Sequence, residues 1–491
     1  MTQIELLSAT PRAAALRLLV PEARYFLPGA LDWHLTGPDL TRHGTTDRAV
    51  LVLDDLPPDT ALRLEIAGLG EISFTTPPCA GAHVLADPAR AQYDLDALPD
   101  GGTLIVPAGE WIVTPLLIPS HRHIYLAAGA RLLAPADRDA FPILPADQGG
   151  SWEGLPDNCY RAILTAIDST DITITGPGLV DGGGARGDWW TWPKGTRNGA
   201  RRARLLHLIG CADVTVMGPT LTNSPSWTLH PCQSRNLAFI GLNIENPPDS
   251  PNTDALNPES CEGVVIEGVR FSTGDDCIAI KAGKRSDDGD GSHLSPTRDI
   301  RIRHCLMEYG HGGVVIGSEM SGGVSNVRIS QCQMKGTDRG LRIKTRRGRG
   351  GIVEDIHLSD TDFDGVDTVL AINMHYFCDH DGHSDAVQSR NAAPVTELTP
   401  LIRNITLDRI VARDVRVAFA ACLGLPESPV SGLRIGHATV SFAADATPDI
   451  PLMADGLLPV AGAGVLVAHC DIATPADLPQ AQLPQKDLAP C

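Results

Sequence analysis

The sequence has few aromatic residues, no long apolar run and no excess of basic charge. Only 4% of its 491 residues are aromatic, and 40 Lys+Arg against 59 Asp+Glu give a formal net charge of -19. Phosphate binding depends on clustered Lys and Arg, so this balance argues against nucleic acid as a partner. Because no apolar run reaches about 18 residues, there is no candidate membrane-spanning helix, and no membrane partner is expected.

The amino terminus and the cysteines bear on the cellular compartment. Residues 1–5 contain no basic segment followed by an apolar stretch, so no secretory signal peptide is indicated. We expect a cytoplasmic protein, or a periplasmic or secreted one if a leader has been removed. The 12 Cys include no C-x-x-C pair of the kind that binds zinc, and a chain this long does not need disulfides. Reduced cysteines are favoured, no metal or cofactor is predicted, and no motif indicates the oligomeric state.

Residues 1–80 are predicted to form a small β-sandwich domain, ahead of a second domain over residues 81–491. Short alternating segments such as residues 61–66 are separated by turn-forming Pro, Asp and Gly. The stretch over residues 56–78 is similar to the end of a fibronectin type III module. Pro77-Pro78 would form a stiff hinge into the second domain.

From about residue 90 onward, segments with apolar residues at alternate positions recur along the chain. Each is predicted to be the strand of one coil. Because no amphipathic helices intervene, the pattern is typical of an all-β parallel β-helix, in which stacked coils bury an aliphatic interior. A sandwich or a propeller is the alternative. The clearest segments are residues 172–174, 214–216, 237–239, 264–266, 300–302, 327–329, 356–358 and 405–407.

Four polar motifs recur at about the interval of these coils. The steps are 21 residues from Asp254 to Asp275, 35 from Asp276 to His311 and 31 from His311 to Arg342. Since neighbouring strands lie about 4.8 Å apart, motifs on successive coils are predicted to share one groove. The motifs are Asn252-Thr253-Asp254, Gly274-Asp275-Asp276, Gly310-His311-Gly312 and Arg342-Ile343-Lys344.

The adjacent pair Asp275 and Asp276 poses a packing problem. On an ideal strand their side chains would point to opposite faces, and an unpaired carboxylate in an aliphatic interior is too costly. We therefore expect a bend, permitted by the freedom of Gly274, that turns both outward.

Three carboxylates in one groove, with Asp254 as the third, cannot all ionise at their usual pKa. One of them should hold a proton near neutral pH, which gives an acid beside a base. Such a pair suits hydrolysis of a glycosidic bond, and a gap of about 6.5–9.5 Å between carboxyl groups leaves room for the attacking water. His311 would tune the acid or bind a hydroxyl, with a purely structural hydrogen bond as the alternative.

Arg342 and Lys344 alternate around Ile343, so both are expected on one face while Ile343 packs inward. They continue into a basic run over residues 345–349. A charge run is commonly only solvated, but this one lies one coil beyond His311, where it would attract an anionic substrate. A planar guanidinium binds a carboxylate through two hydrogen bonds, so a chain of uronic acids is the natural candidate.

Taken together, the four motifs resemble family 28 of the glycoside hydrolases, the polygalacturonases. The resemblance covers most of residues 90–445 and includes Gly101-Gly102-Thr103 and the run Asn223-Ser-Pro-Ser-Trp227. It implies a right-handed parallel β-helix that hydrolyses α-1,4-linked galacturonic acid in pectin with inversion. One departure is Ala255, where the family commonly has glycine.

The resemblance also implies a role for each site residue. Asp275 would be the general acid, and Asp254 with Asp276 would position and deprotonate water. His311 would support the acid, and Arg342 with Lys344 would bind a substrate carboxylate. Asn252 would shape the site.

The mode of attack and several alternatives remain open at this stage. Residues 317–323 and 345–351 look most like exo-acting bacterial members, some of which carry a fibronectin-like amino-terminal domain, so exo attack is favoured. The alternatives are a rhamnogalacturonan or xylogalacturonan hydrolase, a pectate lyase that uses Ca²⁺, and a noncatalytic carbohydrate-binding β-helix. The last would be expected to lack one of the carboxylates, and none is missing.

Overall fold

The alternating segments form strands, and these strands stack in a single register. In the computed structural model, which describes residues 3–486, each of the eight alternating segments predicted after residue 90 lies within a strand of one large, mostly parallel sheet. The first residues of the eight segments pair from coil to coil, and none is more than 1% exposed. The predicted all-β fold with a large parallel sheet is therefore confirmed. The paired residues are Ile172, Val214, Leu237, Val264, Ile300, Val327, Ile356 and Ile405.

Most coils contribute two strands to this large sheet, a longer one and a shorter one separated by a turn, whereas Ile352–Asp364 and Leu401–Val415 each run through both positions without a break. Its strands, in chain order, are Ala82–Val84, Gly102–Val106, Gly109–Ile112, Arg122–Leu126, Ala130–Leu133, Thr170–Thr175, Leu179–Asp181, Ala212–Met217, Thr220–Thr222, Arg235–Ile240, Asn243–Glu245, Glu262–Glu267, Arg270–Ser272, Thr297–Arg303, Leu306–Glu308, Val324–Ser330, Gln333–Lys335, Ile352–Asp364, Leu401–Val415, Val430–Ile435, Ala438–Phe442 and Cys470–Ala473.

A third row of parallel strands closes each coil and carries the polar motifs. It consists of a four-stranded and a seven-stranded sheet, joined through isolated bridges at Leu256 and Glu259. The four strands are Leu116–Leu117, Leu164–Ile167, Leu206–Ile209 and Leu229–Cys232. The seven strands are Asp276–Ile280, Gly312–Gly317, Arg339–Lys344, Thr368–Asn373, Ala418–Leu423, Ala463–Ala468 and Gln480–Gln482.

Helices and small hairpins occur only between these strands in the part of the chain described. The hairpin strands are Ile143–Leu144 with Cys159–Tyr160, and Ser151–Trp152 with Leu155–Pro156. The α-helices are Ala91–Asp96 and Asp385–Gln388, and the 3₁₀ helices are Pro88–Arg90, Arg138–Ala140, Ala146–Gln148 and Trp189–Thr191. None of the helices within residues 3–486 has the length and apolar character needed to span a bilayer. The cysteines of the same residues are free thiols.

The amino-terminal strands form two small antiparallel sheets around a hydrophobic cluster of their own. The cluster combines Leu16 and Leu51 from one sheet with Leu35 and Leu64 from the other. The first sheet contains Ile4–Ala9, Ala14–Leu18 and Val50–Leu53, and the second contains Leu40–Arg48, Phe26–Gly37, Ala61–Ile66 and Gly70–Thr75.

This amino-terminal unit docks closely on the coils. Gly241 and Gly268 both have left-handed backbone conformations, and a Cβ there would lie 2.4 Å from Val52 and 2.6 Å from Val50, respectively. Only glycine therefore permits this approach. A buried ion pair, 2.7 Å between Arg17 Nη1 and Glu267 Oε1, holds the same interface.

We expect the interior ladder of the coils to carry much of the stability. Ile302 is fully buried between Ile266 and Ile329, whereas Ile112 is 62% exposed on its strand. Ile302→Ala should lower the free energy of unfolding by about 2–5 kcal/mol, since it leaves a cavity, and Ile112→Ala by less than about 0.5 kcal/mol. Urea unfolding followed by circular dichroism measures both, and equal losses would contradict the assignment of the interior.

Candidate active site

The structure gathers all four polar motifs on the third row of strands. Asp254 lies in a segment without strand geometry, next to Asp276 on the following coil, where Ala255 N donates to Asp276 O at 3.0 Å. Asp276 pairs in register with Gly312, directly after His311. Arg342 pairs with Val315 of that strand. The predicted placement of one motif per coil is therefore what the structure contains.

The three carboxylates lie close together. One oxygen from each of Asp254, Asp275 and Asp276 can be chosen so that all three lie within 4.8 Å of one another. These nearest oxygens are closer than the gap of about 6.5–9.5 Å between carboxyl groups that leaves room for an attacking water. Neighbouring cations explain the difference: Lys344 Nζ lies 2.8 Å from Asp276 Oδ2, and Arg342 Nη1 lies 3.6 Å from Asp276 Oδ1.

The backbone bends at Asp275, as predicted, but for a different reason. Asp275 precedes the strand that begins at Asp276, and its Oδ1 accepts from the Asp276 amide at 2.9 Å. Gly274 does not adopt a left-handed conformation; instead, a Cβ there would lie 2.4 Å from Ser250 O. Glycine is thus required by the close approach of the loop before Asp254 rather than by backbone freedom.

Burial sets the protonation of Asp254. It is 4% exposed, and this desolvation, together with the negative charge of Asp275, raises its pKa to about 8, against an opposing effect of Lys281. Asn257 Nδ2 donates to Asp254 Oδ2 at 3.0 Å. The prediction that one carboxyl of the three holds its proton near neutral pH therefore agrees with this environment, and that carboxyl is Asp254.

Asp275 and His311 form a pair in which the pKa of the carboxyl is lowered, whereas that of Asp254 is raised. Burial alone would raise the pKa of Asp275, but the hydrogen bond from His311 and the charge of Lys344 bring it to about 2. The same hydrogen bond raises the pKa of His311 to about 9. Their contact is 3.4 Å from His311 Nδ1 to Asp275 Oδ1, and the imidazole side chain is 54% exposed to the groove. The proton of this pair therefore resides on His311.

Only part of the predicted basic lining faces the groove. Arg342 and Lys344 do so, while Ile343 is fully buried in the interior, as their alternation predicts. The run that follows is wrong as a substrate-attracting patch, because its guanidinium groups are neutralised by acidic residues of neighbouring loops. These pairs are Arg346–Asp381, Arg347–Glu427 and Arg349–Asp379.

Two further buried cations, Lys281 and Arg202, organise the site, and of these Arg202 was not predicted from the sequence. Lys281 Nζ lies 2.6 Å from Glu319 Oε2 and 5.2 Å from the centre of the Trp227 ring, so its charge is fixed beside Asp254. Arg202 donates to the carbonyls of Pro193, Pro225 and Pro251 at 2.7–3.0 Å and to Asn252 Oδ1 at 2.6 Å. It thereby ties three loops of the groove together.

The groove has two lobes on either side of the carboxylates. The wide lobe, of about 330 Å³, and the narrow lobe, of about 100 Å³, share Asp275, Lys344 and Tyr376. The wide lobe adds His311, Asp338, Arg339, Arg342, Asn373 and Met453. The narrow lobe adds Glu153, Lys194, Asn252, Asp254, Lys281 and Glu319.

Known proteins resemble this chain both in sequence and in fold. The model of Glycosyl hydrolases family 28 matches residues 151–415. This range contains the three carboxylates, His311, Arg342 and Lys344. A "Probable polygalacturonase" of Vitis vinifera is 34% identical over 350 residues, covering 70% of this chain and 68% of that protein. An "Endo-polygalacturonase" of Pectobacterium parmentieri is 29% identical over 274 residues, covering 53% of this chain and 64% of that protein.

One solved structure matches the fold along nearly the whole chain. The family 28 exopolygalacturonase of Yersinia enterocolitica superposes with a TM-score of 0.70 at 16% identity, covering 99% of this chain and 98% of that one. The likeness includes the amino-terminal unit, so the complete arrangement of the chain occurs in a second protein.

We expect the carboxyl of Asp254 to titrate near pH 8, because burial and Asp275 disfavour its charge. Asp275→Asn should lower this pKa, since it removes a negative neighbour, and Lys281→Met should raise it, since it removes a positive one. Nuclear magnetic resonance of ¹³C-labelled aspartate follows the titration in all three proteins. Titration near pH 4 in the unmodified protein, or shifts of the same sign in both variants, would contradict this account.

Proposed function

Because the chain belongs to family 28 of the glycosyl hydrolases and is thus a glycoside hydrolase, we propose that it hydrolyses α-1,4 bonds between galacturonate residues of pectic chains. The observation that carries the proposal is the cluster of Asp254, Asp275 and Asp276 directly beside the cations Arg342 and Lys344. The carboxylates supply acid and base, and the cations supply an anion-binding surface in an otherwise acidic protein.

The wide lobe suits a sugar that carries a carboxylate. Arg339, Arg342 and Lys344 line it together, against Asp338 as its only acidic residue besides Asp275 among those that line it. Arg342 lies 5.5 Å from the centre of the Tyr376 ring, which orients the guanidinium plane. A galacturonate carboxylate in this lobe would accept charge-assisted hydrogen bonds that a neutral hexose cannot form.

We assign Asp275 as the acid that protonates the leaving oxygen, and His311 as the source of its proton. While water reaches the half-exposed imidazole, the pair is ionic, with the proton on His311. A bound sugar excludes water from His311, and exclusion of water penalises an ion pair relative to two neutral groups. Binding would therefore drive the proton from His311 onto Asp275, next to the bond to be cleaved.

Asp254 and Asp276 are assigned to the attacking water. Asp276 is held by Lys344 and Arg342, and Asp254 keeps a proton until about pH 8. Two carboxyl groups that share one proton can accept another, so the pair can take the proton that the water loses. We infer inversion at the anomeric carbon, because the two carboxyl groups that activate water are separate from the acid, although the nearest oxygens of the three lie closer than the usual spacing of inverting enzymes.

The narrow lobe favours attack at a chain end. Glu153, which follows strand Ser151–Trp152, and Lys194, which forms an ion pair with it, both line this lobe, and we infer that they close its outer end. Arg202 ties the loop that contains Lys194 to the loop that contains Asn252. A groove that is walled on one side of the carboxylates accepts the end of a chain, whereas an endo enzyme needs a channel open on both sides.

We assign a structural role to the amino-terminal unit. We infer that residues 1–80 form a β-sandwich domain like a fibronectin type III module, on the basis of two antiparallel sheets with a common cluster of Leu side chains. The coils after residue 81 are inferred to wind in the right-handed sense, which nearly all parallel strand crossovers adopt.

We expect Asp275→Asn to reduce kcat on polygalacturonate by about 10²–10⁴-fold, the usual contribution of a general acid. The amide is isosteric, so the far-ultraviolet circular dichroism should not change. Released reducing ends measure turnover, and activity retained by this variant would refute the assignment. Unsaturated products absorbing in the ultraviolet, or activity lost in chelator, would instead indicate a lyase.

The dependence of kcat/KM on pH should show whether His311 holds the proton that Asp275 donates. The proton is present below the pKa of about 9 and is lost as the pH rises through it, so activity should fall on the alkaline side. His311→Gln keeps a hydrogen-bond donor but cannot hold the proton, so its alkaline limb should move to lower pH. An alkaline limb at the same pH in both proteins would contradict the role of His311.

Early products should be short if the narrow lobe closes the groove. We expect mono- or digalacturonate alone at early times, and a ladder of longer products when Glu153→Ala and Lys194→Ala together remove the wall. Lys335→Ala, an exposed lysine on the large sheet, serves as the matched control. Chromatography of the products over time distinguishes these outcomes, and a ladder from the unmodified protein would overturn exo attack.

A further inference from the structure

The outer face of the four-stranded amino-terminal sheet carries two histidines and two acidic residues that the proposed function does not use. His34 lies directly opposite His43 on one neighbouring strand and opposite Glu65 on the other. Asp32 lies two residues before His34, so its side chain shares the same face. All four are exposed, and they line a shallow cavity of about 690 Å³.

The inner residues of the same strands show that this face is the outer one. Leu35, Leu64 and Ile66 are at most 1% exposed and pack into the amino-terminal cluster. The side chains at alternate positions therefore point away from the core. No packing requirement explains why imidazoles and carboxylates occupy them.

Several solvent-accessible histidines among the described residues have a carboxylate partner, whereas His34 and His43, like His380 and His469, do not. His121 pairs with Asp171, and His437 pairs with Asp408, at 3.0 and 3.3 Å. Within residues 3–486, the side-chain hydrogen bonds and ion pairs include none of His34, His43, Asp32 and Glu65. Four donors of the kind that bind transition metals are thus free on one surface.

We propose that His34, His43 and Glu65, with Asp32 as a fourth ligand, bind one divalent transition-metal ion such as Zn²⁺. Side chains directly opposite each other on neighbouring strands have Cβ atoms about 4.5–5.5 Å apart. His34 occupies the central strand, so an ion above it lies within reach of His43 on one side and Glu65 on the other, through bonds of about 2.0–2.2 Å.

The donor atoms need rotation of exposed side chains to meet at the ion. The sets of three donors that already lie within 4.8 Å in the described chain are Asp254 with Asp275 and Asp276, and His230 with Cys232 and Glu259. The surface side chains at His34 and His43 rotate freely and can converge on an ion.

The buried set around His230 does not offer a competing site. His230 Nε2 is already hydrogen-bonded to Glu259 Oε2 at 2.7 Å. The positive charges of Arg204 and Lys281 act on His230, and they would repel a further cation. The sheet face, by contrast, is locally acidic at Asp32 and Glu65, which favours a cation and disfavours an anionic polysaccharide.

Isothermal titration of the chelator-treated full chain with ZnCl₂ tests the proposal. We expect one Zn²⁺ per chain with a micromolar dissociation constant, unaffected by excess Mg²⁺, which prefers oxygen ligands. The double variant His34→Gln/His43→Gln should lose this binding at least 100-fold and keep full hydrolytic activity. Glu65→Gln should weaken it about tenfold.

His437→Gln is the matched control, because it removes an exposed histidine from a different face. Its zinc binding should equal that of the unmodified chain. Absence of zinc binding by the unmodified chain would overturn the proposal. So would binding that survives in the double variant, since it would assign the ion to another place, such as the carboxylates of the groove.

Discussion

The in-register stacking of parallel coils is the constraint on which the rest of the structure depends. Hydrogen bonds between coils fix neighbouring strands about 4.8 Å apart, and the aliphatic ladder from Ile172 to Ile405 holds the register, since a shift by one residue would turn it outward. Side chains separated by one coil in sequence then meet in space. Asp254, Asp276 and Lys344 therefore form one cluster although they are spread over 91 residues of sequence.

The same stacking brings like charges together, and groups on adjoining coils offset their repulsion. Three carboxylates within 4.8 Å repel one another, and isolated charges in a buried site are costly. Two things offset this cost: protonation of Asp254, and cations from adjoining coils. Lys344 contacts Asp276 directly, and Lys281 is fixed between Glu319 and Trp227. The site is thus a balanced network of both signs, in which a change at one group alters the proton affinity of the others.

Local pattern was sufficient to predict the strands and the motif spacing, because both depend on residues that are neighbours in register. The alternation around Ile300 and Ile343, for example, fixes which side chains enter the interior. Contacts made by long loops were not predictable in this way. Arg202 binds carbonyls of three loops, and the basic run after Lys344 pairs with Asp379, Asp381 and Glu427 from other loops. Their positions depend on how each insertion folds back over the coils, which periodicity does not encode.

The acidic surface is compatible with the proposed anionic substrate because the charges of the surface and those of the groove act over different distances. Exposed charges are screened beyond about 8 Å at physiological ionic strength, so most of the net charge of -19 contributes little inside the groove. Arg342 and Lys344, by contrast, are nearly buried and act at close range, where screening is weak. A polyanion would therefore be repelled weakly by the surface as a whole and attracted strongly at one place. This arrangement favours productive binding in the groove over adsorption elsewhere on the molecule.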